Sequence, residues 1–564
     1  MKKGRSVLLL VLIFAGLILA AAVSWVFMTL RSEPVVPEAA VLEIRVEGPL
    51  AEFADPGALA ALFAGRPQSM LDIWNGLRLA RADRRVTGVL LRLGLLDCDW
   101  AKCAEIRDAV LDFRRSGKKA VAYFEDAPLA TKEYYIATAC DRIVLHPLGG
   151  LGITGLGGQV PFFKNALDKL GIRAEIEHIE EYKTAYNQFT EKGFTPAHRE
   201  MTESLLADQF DHFLKDVAAA RGKSEPEIRA LVDRALFRGE DAVRAGLVDE
   251  CLYEDQVRAL FGRQGRPAVL IPISRYSRIS PSSVGLGRGR RLALLYAVGP
   301  IHGGESLAGT IGSDTLGRWL REAREDSAIA AVVLRVDSPG GAAVASDVIA
   351  REVELTRAVK PIVVSMSDVA GSGGYWIAMG ASRIVAQPQT LTGSIGVLAG
   401  KIDASGLLAK LGIGSETVRF GRFADLYSPF RPATAEERVL LKADIRWIYE
   451  RFVAKAAAGR HLAPEQIDRL GRGRVWTGAQ AKARGLVDEL GGLSKAIEIA
   501  KALAGIGPEE DVRLAVRPGR TSFLGALFGR RGADARTGLT AEMERAAGFL
   551  KMLGRNQVLA IVPF

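Results

Sequence analysis

The chain has 564 residues, of which 48% are hydrophobic and 25% charged, and its formal net charge is +10. One hydrophobic core stops growing at about 250–300 residues, so we expect at least two domains, and the composition excludes a largely disordered chain. The sequence has no zinc-finger spacing and no aromatic-and-basic pattern typical of RNA binding, so we expect no nucleic-acid partner.

The N-terminus has the features of a membrane anchor. The basic start MKKGR precedes an apolar run from Val7 to Leu30, which is long enough to cross a bilayer at ~20 residues. A cleavable signal has a shorter apolar core of about 7–15 residues, so we predict that residues 1–32 form an uncut transmembrane helix. Positive residues before the run place the N-terminus in the cytoplasm and the body of the chain outside it.

After the anchor, the chain consists of two similar halves. Short apolar runs alternate with amphipathic stretches in VTGVLLRLG (86–94), CAEIRDAVLDFRRSG (103–117) and KAVAYFED (119–126). The same order recurs in IAAVVLRVDS (329–338), SDVIAREVELTRAV (346–359) and PIVVSMSD (361–368). Strand, helix and strand in this rhythm predict right-handed crossovers and a parallel sheet in each half, hence an α/β fold.

The segment boundaries follow from the repeat. We place the first half at residues 33–275 and the second at 291–507, separated by a linker at 276–290 that is rich in Ser, Pro, Gly and Arg. The basic tail at 508–564 has no counterpart in the first half. Arginines crowd both the linker and the tail, which fits either solvation or contact with anionic lipid headgroups.

The two halves differ at one serine. SGGYWIAMGASRIVAQPQTLTGSIG, which starts at Ser372, aligns with TKEYYIATACDRIVLHPLGGLGITG, which starts at Thr131. The surrounding pattern is shared, but the serine followed by two glycines has become Thr131-Lys132-Glu133. A Ser-Gly-Gly that the fold required would be present in both copies. Ser372 is therefore a candidate for chemistry that needs to occur only once.

A lysine shows the complementary pattern. YKTAYNQF (182–189) aligns with FADLYSPF (423–430), so Lys183 faces Ala424. Serine needs a base to become a nucleophile, and a lysine serves if burial lowers its pKa. We therefore predict one composite site of Ser372 and Lys183. The alternatives are a solvated surface lysine, or a lysine that Glu180 and Glu181 keep charged.

The glycines near Ser372 are candidates for an oxyanion hole, because acyl transfer needs donors aimed at the developing negative charge. The glycines after Ser372 leave the Gly373 N–H open to a bound carbonyl. A second donor comes from DSPGG (337–341), which follows the strand VVLRV. The first half has Gly94-Leu95-Leu96 at this point and no Gly-Gly. Only the second half therefore has both candidate N–H donors for an oxyanion hole.

The cysteines and histidines give no sign of a metal site or a cofactor. The four cysteines, Cys98, Cys103, Cys140 and Cys251, contain no CxxC pair, and the six histidines contain no HExxH motif. We therefore expect neither a metal nor a cofactor. Cys98 and Cys103 are either a disulfide of an oxidising compartment or isolated buried thiols.

LRVDSPGG, AGSGGYWIA and TLTGSIGV, together with the YKTA segment, resemble signal peptide peptidase A (protease IV) of the long, duplicated, membrane-anchored type. The likeness extends from the anchor to about residue 505. It implies two tandem Clp/crotonase-like domains and a serine endopeptidase with a Ser/Lys dyad that degrades signal peptides left in the membrane. It also implies the roles: Ser372 as nucleophile, Lys183 as general base, Ser394 as the residue that orients the lysine, and the Gly341 and Gly373 N–H groups as the oxyanion hole.

The resemblance further implies a bacterial inner-membrane protein with its catalytic body on the periplasmic side, assembled as a homo-oligomer, specifically a tetramer. Two positions depart from the family pattern. Thr184 stands where the family often has serine, and Asp337 stands where asparagine is common. Neither departure removes a catalytic group.

Two other functions compete with the peptidase. One is a binding or quality-control scaffold that has lost catalysis, which the presence of both Ser372 and Lys183 argues against. The other is a crotonase-like acyl-thioester enzyme, which also uses backbone N–H groups as an oxyanion hole. The membrane anchor and the serine at a nucleophile position argue against that enzyme.

Overall fold

The computed structural model describes residues 33–53, 68–262, 268–519 and 559–561. The predicted transmembrane helix at residues 1–32 lies outside these ranges. Within the described ranges, no helix is both long enough and apolar enough to cross a membrane.

The first half contains a parallel sheet flanked by helices. Its strands are β1 (Ala40–Pro49), β2 (Val86–Asp97), β3 (Lys119–Phe124), β4 (Arg142–Leu145), β5 (Gly150–Gly152), β6 (Arg173–His178), β7 (Leu236–Arg238), β8 (Glu250–Cys251) and β9 (Val269–Pro272). Its helices are α1 (Met70–Ala82), α2 (Trp100–Arg114), α3 (Thr131–Ala137), α4 (Lys164–Leu170), α5 (Asn187–Thr190), α6 (Pro196–Arg221), α7 (Glu225–Arg234), α8 (Glu240–Arg244), α9 (Glu254–Ala259) and α10 (Ile273–Tyr276).

The second half repeats most of this succession of elements. Its strands are β10 (Arg291–Val298), β11 (Ile301–His302), β12 (Ile311–Gly312), β13 (Ile329–Ser338), β14 (Gly340–Ala342), β15 (Ile362–Gly371), β16 (Arg383–Ala386), β17 (Leu391–Gly393), β18 (Leu398–Asp403), β19 (Val475–Thr477), β20 (Glu489–Leu490), β21 (Arg513–Arg517) and β22 (Leu559–Ile561). Its helices are α11 (Ser313–Glu325), α12 (Ala343–Arg357), α13 (Gly373–Ala378), α14 (Ser405–Lys410), α15 (Ala435–Arg460), α16 (Pro464–Leu470), α17 (Gly478–Ala483) and α18 (Leu493–Leu503).

The strand orders confirm the predicted duplication and the parallel α/β fold. The first sheet runs β8-β4-β3-β2-β1-β9, and all its pairs are parallel. In the second sheet, β21, β10, β13, β15, β16 and β20 are joined by parallel pairs in the corresponding order. The central strands are buried on both faces, which explains why they read as nearly continuous apolar runs. Each half thus repeats one architecture. The prediction that the tail has no counterpart in the first half is wrong for β21, which pairs with β10 as β9 pairs with β1.

The long helices of the two halves begin in the same way. Thr195 caps α6 by accepting a hydrogen bond from the His198 N–H, and Thr434 caps α15 by accepting one from the Glu437 N–H. A threonine side chain at this position satisfies an N–H that the helix leaves without a partner. Both helices have 26 residues, so the repeat preserves even the length of this element.

A small third sheet and a shared core join the halves. The sheet runs β12-β11-β14-β22-β18-β6, so that β6 of the first half pairs antiparallel with β18 of the second. On the face of the second large sheet, Leu71 and Trp74 of α1 pack in one apolar cluster with strand residues such as Leu294 and Val333. These contacts bring residues of the first half to the carboxyl ends of the second half's strands.

Candidate active site

Ser372 lies at a strained turn between β15 and α13. Its φ is 56° and its ψ is −115°, a backbone conformation that costs free energy for any residue with a side chain and is concentrated at functional sites. The Ser372 N–H donates to Gly393 O at 2.8 Å, and the Trp376 N–H donates to Ser372 O at 2.8 Å. Thr131, which aligns with Ser372, is instead the first residue of α3 and is not among the residues with positive φ. The strained turn therefore belongs to the second half.

Lys183 reaches Ser372 from the other half of the chain. Its Nζ lies 2.7 Å from Ser372 Oγ, and it donates to Ser394 Oγ at 3.0 Å and to Ser394 O at 3.1 Å. Lys183 is 2% exposed, and the two serines are fully buried. The structure therefore brings together the serine and the lysine that the sequence pairs, and it adds Ser394 as the second neighbour of the amine.

The surroundings of Lys183 favour the neutral amine. Burial lowers the pKa of Lys183 well below its usual range, because the ammonium loses its hydration. Among the described residues, Lys183 has no salt bridge, and Glu180 and Glu181 lie instead beside Arg446 at 3.3 Å and Arg472 at 3.7 Å. A neutral amine has two N–H donors, which fit the two Ser394 oxygens, and one lone pair, which fits the Ser372 hydroxyl.

The loop that carries Lys183 is fixed by the second half. The whole of β6 pairs with β18, from Arg173 opposite Asp403 to His178 opposite Leu398. The Tyr182 N–H then donates to Arg472 O at 3.1 Å. A Cβ at Gly473, which has φ +84°, would collide with the backbone of Lys183. The lysine is thus held by strand pairing and by a close backbone approach that only glycine permits.

The predicted oxyanion-hole glycines lie side by side. A Cβ built on Gly373 would lie 3.0 Å from Gly341 N and 2.6 Å from Ser346 Oγ. A Cβ on Gly341 would collide with the backbone of Ile301 in β11. Both positions therefore require glycine for steric reasons, and the two backbone segments meet directly beside Ser372.

At the equivalent position of the first half, the side chains that replace the serine and the two glycines bind the neighbouring backbone. Thr131 Oγ1 accepts a hydrogen bond from the Thr154 N–H at 3.1 Å. Glu133 Oε1 accepts one from the Leu96 N–H at 2.7 Å, and Lys132 Nζ donates to Cys98 O at 2.5 Å. Charged side chains thus replace the two glycines and bind the neighbouring turn. The first half therefore lacks both the serine and the two glycines that follow it.

An extended segment lies in the groove beside Ser372. β22 pairs antiparallel with β14, with Ala560 opposite Gly341, and Leu559 also pairs with Leu398 of β18. The backbone of β22 therefore lies between the strand of the predicted oxyanion hole and the strand that positions the lysine loop. The groove thus holds a segment of this chain in strand conformation.

Three features of this region were not predicted from the sequence. They are the close backbone approach at Gly473, the strand in the groove, and Lys102, which contacts Asp337 and Asp368 beside the site. The unusual Asp337 was the one available signal for the last of these. The Cys98 and Cys103 sulfur atoms lie 3.8 Å apart as free thiols.

Comparison with known proteins identifies the family. The family model described as Peptidase family S49 matches residues 112–263 and 354–507. Protease 4 of Salmonella typhi is 35% identical over 453 residues, which cover 77% of this chain and 72% of that protein. Protease 4 of Haemophilus influenzae is 30% identical over 517 residues, which cover 87% of this chain and 83% of that protein.

A plant protein and a solved structure are also similar. The chloroplastic serine protease SPPA of Arabidopsis thaliana is 35% identical over 446 residues, which cover 77% of this chain and 66% of that protein, slightly less than two thirds of it. A solved structure of ClpP1 from Listeria monocytogenes has a TM-score of 0.23 and 16% sequence identity, and covers 35% of this chain and 91% of that chain.

The family match covers both halves of the duplication, and two of the relatives are matched over more than two thirds of their length. The resemblance to signal peptide peptidase A inferred from the motifs is thereby confirmed. The chain belongs to peptidase family S49 and is a serine peptidase.

Proposed function

We propose that this protein is a membrane-anchored endopeptidase that degrades cleaved signal peptides, with Ser372 as nucleophile and Lys183 as general base. The observation that carries the proposal is the buried Lys183 amine, 2.7 Å from Ser372 Oγ and without a carboxylate partner among the described residues. The relatives named Protease 4 and SPPA support the reaction class. In this proposal, each half is a Clp/crotonase-type domain, and both contribute to one site.

The proposed reaction proceeds by acyl transfer. The neutral Lys183 amine takes the Ser372 proton as Oγ attacks the carbonyl carbon of the peptide bond. The N–H groups of Gly341 and Gly373 stabilise the negative charge on the carbonyl oxygen. The Lys183 ammonium then gives its proton to the leaving amine, and the acyl-enzyme remains. Water, activated by the same lysine, attacks the ester and regenerates Ser372.

Ser394 is proposed to orient the lysine in this reaction. Its carbonyl and hydroxyl oxygens both accept hydrogen bonds from Lys183 Nζ, which directs the lone pair of the amine toward Ser372. They also stay in place when the amine becomes an ammonium. Ser394 itself has φ 49°, so the backbone is strained to present both oxygens to one side chain.

The peptide is proposed to bind as an added strand. β22 occupies the groove between β14 and β18 by backbone pairing, a mode of recognition in which main-chain hydrogen bonds supply affinity and side-chain pockets supply specificity. A signal peptide released from its precursor has a free extended end that can pair in this way. Folded domains cannot offer such a strand.

The membrane anchor is proposed from the sequence. The apolar run from Val7 to Leu30 is long enough for one span, and the basic residues before it orient the body outside the cytoplasm. We therefore place the protein in a bacterial inner membrane with its catalytic body on the periplasmic side, where the bilayer and apolar peptides are its partners.

The substrate class can be tested with the full-length enzyme in detergent micelles. We expect it to cleave a synthetic signal peptide and to leave a folded globular protein of similar length intact, as measured by mass spectrometry of the products. Ser372→Ala is the matched control and is expected to cleave neither. Cleavage of the folded protein at the same rate, or cleavage by the Ser372→Ala variant, would contradict the proposal.

We also propose that copies of the chain assemble head to tail into a ring, for which the tetramer is the expected size. Within one chain, β6 pairs with β18. In the repeat, the counterpart of β6 is segment 414–419 and that of β18 is segment 157–162, and neither forms a strand in the structure. Within a single chain, these two segments therefore lack the strand pairing that joins β6 to β18. Segment 414–419 of one copy can pair with segment 157–162 of the next.

The exposed side chains of the first segment fit this assembly. Val418 is 88% exposed and Phe420 is 97% exposed, whereas Ile179, which aligns with Phe420, is 3% exposed against the other half. A cavity of about 460 Å³ at segment 157–162 is lined by apolar residues such as Leu156 and Leu205 and by charged residues such as Lys132 and Glu133. Phe420 of a second copy would enter this cavity as the segments pair. A contact between different surfaces of identical chains closes into a ring when the rotation permits.

Phe420→Asp is expected to dissociate the assembly into single chains in detergent, because a carboxylate would replace the aromatic ring at the interface and would have to lose its hydration there. Light scattering coupled to size-exclusion chromatography measures the mass of the protein component. Leu503→Asp changes another exposed apolar residue, at the end of α18, and is expected to leave the mass unchanged. An unchanged oligomer of the Phe420→Asp variant would refute this interface.

A further inference from the structure

A second lysine of the first half reaches the second half. Lys102 lies in the first turn of α2 and is buried. Its Nζ contacts Asp337 Oδ2 at 2.8 Å and Asp368 Oδ2 at 3.2 Å. Asp368 in turn accepts hydrogen bonds from the backbone N–H groups of Lys102, at 2.9 Å, and Asp99, at 3.2 Å. A carboxylate of the second half thus caps the N-terminus of a helix of the first half, where the helix dipole favours negative charge.

The two carboxylates stand at equal distances along the chain from the proposed catalytic groups. Asp337 precedes Gly341 by four residues, and Asp368 precedes Ser372 by four residues. Lys102 Nζ is within 3.2 Å of both carboxylates. The lysine therefore links the backbone segment of the oxyanion hole to the segment that ends in the nucleophile.

The link lies at an irregularity of the sheet. Val336 pairs with Met366 and Ser338 pairs with Ala370, so that the single residue Asp337 of β13 stands opposite three residues of β15. The Val369 N–H, within this bulge, donates to Asp337 Oδ1 at 3.2 Å. Bulges redirect a strand and are common beside active sites. Here the bulge sets where β15 ends, and therefore where Ser372 lies relative to Gly341.

The charges around Lys102 make it the cation of this cluster. Burial, Asp368 and Glu52 raise the pKa of Asp337 and Lys102 lowers it, with a net rise to about 6. Burial also raises the pKa of Asp368, and Lys102 again acts in the opposite direction. Burial lowers the pKa of Lys102, but the carboxylates outweigh it and keep the lysine charged. The other charged groups facing the cluster are Glu52 at 3.9 Å from Nζ, Asp99, and the Arg335 guanidinium, which pairs with Glu52 and Glu105.

The cluster of Lys102, Asp337 and Asp368 lies beside the Ser372 turn and has no equivalent at the Thr131 turn of the first half. Ala127 occupies the position of Asp368 in the aligned first half, so the turn at Thr131 has no corresponding carboxylate. Asp337 stands where the resemblance gives asparagine, an uncharged side chain that needs no cation. The pairing of a buried aspartate with a lysine of the other half is therefore a feature of this chain.

We propose that Lys102 is a positioning residue: by holding Asp337 and Asp368 together, it fixes the bulge that sets the Ser372 hydroxyl against the Gly341 N–H. This inference rests on the proposed peptidase function. Lys102 touches neither Ser372 nor Lys183, so it acts through the backbone. Without the ammonium, two buried carboxylates repel each other at the point where both segments turn toward the site.

The test compares Lys102→Met with the wild-type enzyme on a water-soluble peptide ester between pH 6 and pH 9. We expect kcat per folded enzyme to fall about tenfold or more at pH 9, because small displacements of reacting groups are costly, with KM within about twofold. The loss should be smaller at pH 6. At low pH, the two carboxyl groups share a proton, which holds the segments together in place of the lysine.

Asp337→Asn in the Lys102→Met background is expected to restore most of the lost kcat and to remove the extra pH dependence, since an amide N–H donates to Asp368 without charge repulsion. The matched control is Lys118→Met. Lys118 donates to Ala80 O and Asp83 O, both at 2.6 Å, so its loss should lower the melting temperature and leave kcat per folded enzyme unchanged. If Lys102→Met does not fold, Lys102→Gln replaces it, with the same expected dependence on pH.

Two failures are distinguishable. A Lys102→Met or Lys102→Gln enzyme with wild-type kcat at every pH, or one that Asp337→Asn fails to restore, would overturn the positioning role while leaving the peptidase intact. A wild-type protein that shows no hydrolysis dependent on Ser372 would instead contradict the proposed function itself.

Discussion

Lys183→Arg is expected to be as inactive as Lys183→Ala, with kcat lowered by about a thousandfold or more, the scale seen when members of a catalytic group are removed. A guanidinium stays protonated at any working pH and has no lone pair to accept the Ser372 proton. If Lys183 supplied only positive charge, arginine would preserve much of the activity. Hydrolysis of a peptide ester by the purified variants measures the difference.

Two controls accompany this substitution. Lys118→Arg, a change of the same kind at a lysine that donates to backbone carbonyls, is expected to keep its kcat. Ala424→Lys in the Lys183→Ala background is expected not to restore activity, because position 424 would supply a base to the half that contains Thr131. A Lys183→Arg enzyme with near wild-type kcat would refute the dyad.

The pH dependence has a defined sign. The active form of Lys183 is the neutral amine, and burial lowers its pKa. Activity should therefore be low where the amine is protonated, rise as pH increases through the lowered pKa, and reach its plateau well below the usual lysine value of ~10.4. A rise in activity centred near ~10.4 would show that the lysine is not desolvated in the working enzyme.

Ser372→Ala is expected to abolish hydrolysis, with a loss of about ten-thousandfold or more, while the fold is retained. The substitution removes one buried hydroxyl and leaves the glycine turn and the Gly393 contact of the backbone in place. Circular dichroism and the melting temperature check the fold, and ester hydrolysis measures activity.

The matched control is the serine's counterpart in the repeat. Thr131→Ala removes the Thr154 hydrogen bond and should cost on the order of 1 kcal/mol of stability, with kcat within about twofold of wild type. Comparable losses of activity from Ser372→Ala and Thr131→Ala would contradict a single site in the second half.

The sequence predicted much of the fold because the repeat is readable in the residues. The strand and helix patterns around VTGVLLRLG and IAAVVLRVDS recur in the same order. Each pattern can be read locally, because helices and strands have different hydrophobic periodicities. Ser372 and Lys183 were found for a different reason. Each is present in one copy and absent from the other, so the comparison of the two halves isolates them without knowledge of the fold.

The contacts between the halves were not predictable in this way. The pairing of β6 with β18 joins segments more than 200 residues apart, and no local pattern specifies which edge strand meets which. The burial of Lys102 was not predictable either, because a lysine at the start of an amphipathic helix is usually exposed to solvent. Only its position against Asp337 and Asp368 shows that it is buried.

The most direct measurement is labelling of the full-length enzyme with a serine-reactive phosphonate, with the modified residue located by mass spectrometry. The account predicts modification of Ser372 in the wild-type protein, at a rate that rises with pH through the lowered pKa of Lys183, and no modification of Ser372 in Lys183→Ala. Modification of Ser372 at the same rate in Lys183→Ala, or stable modification of a serine other than Ser372, would contradict it.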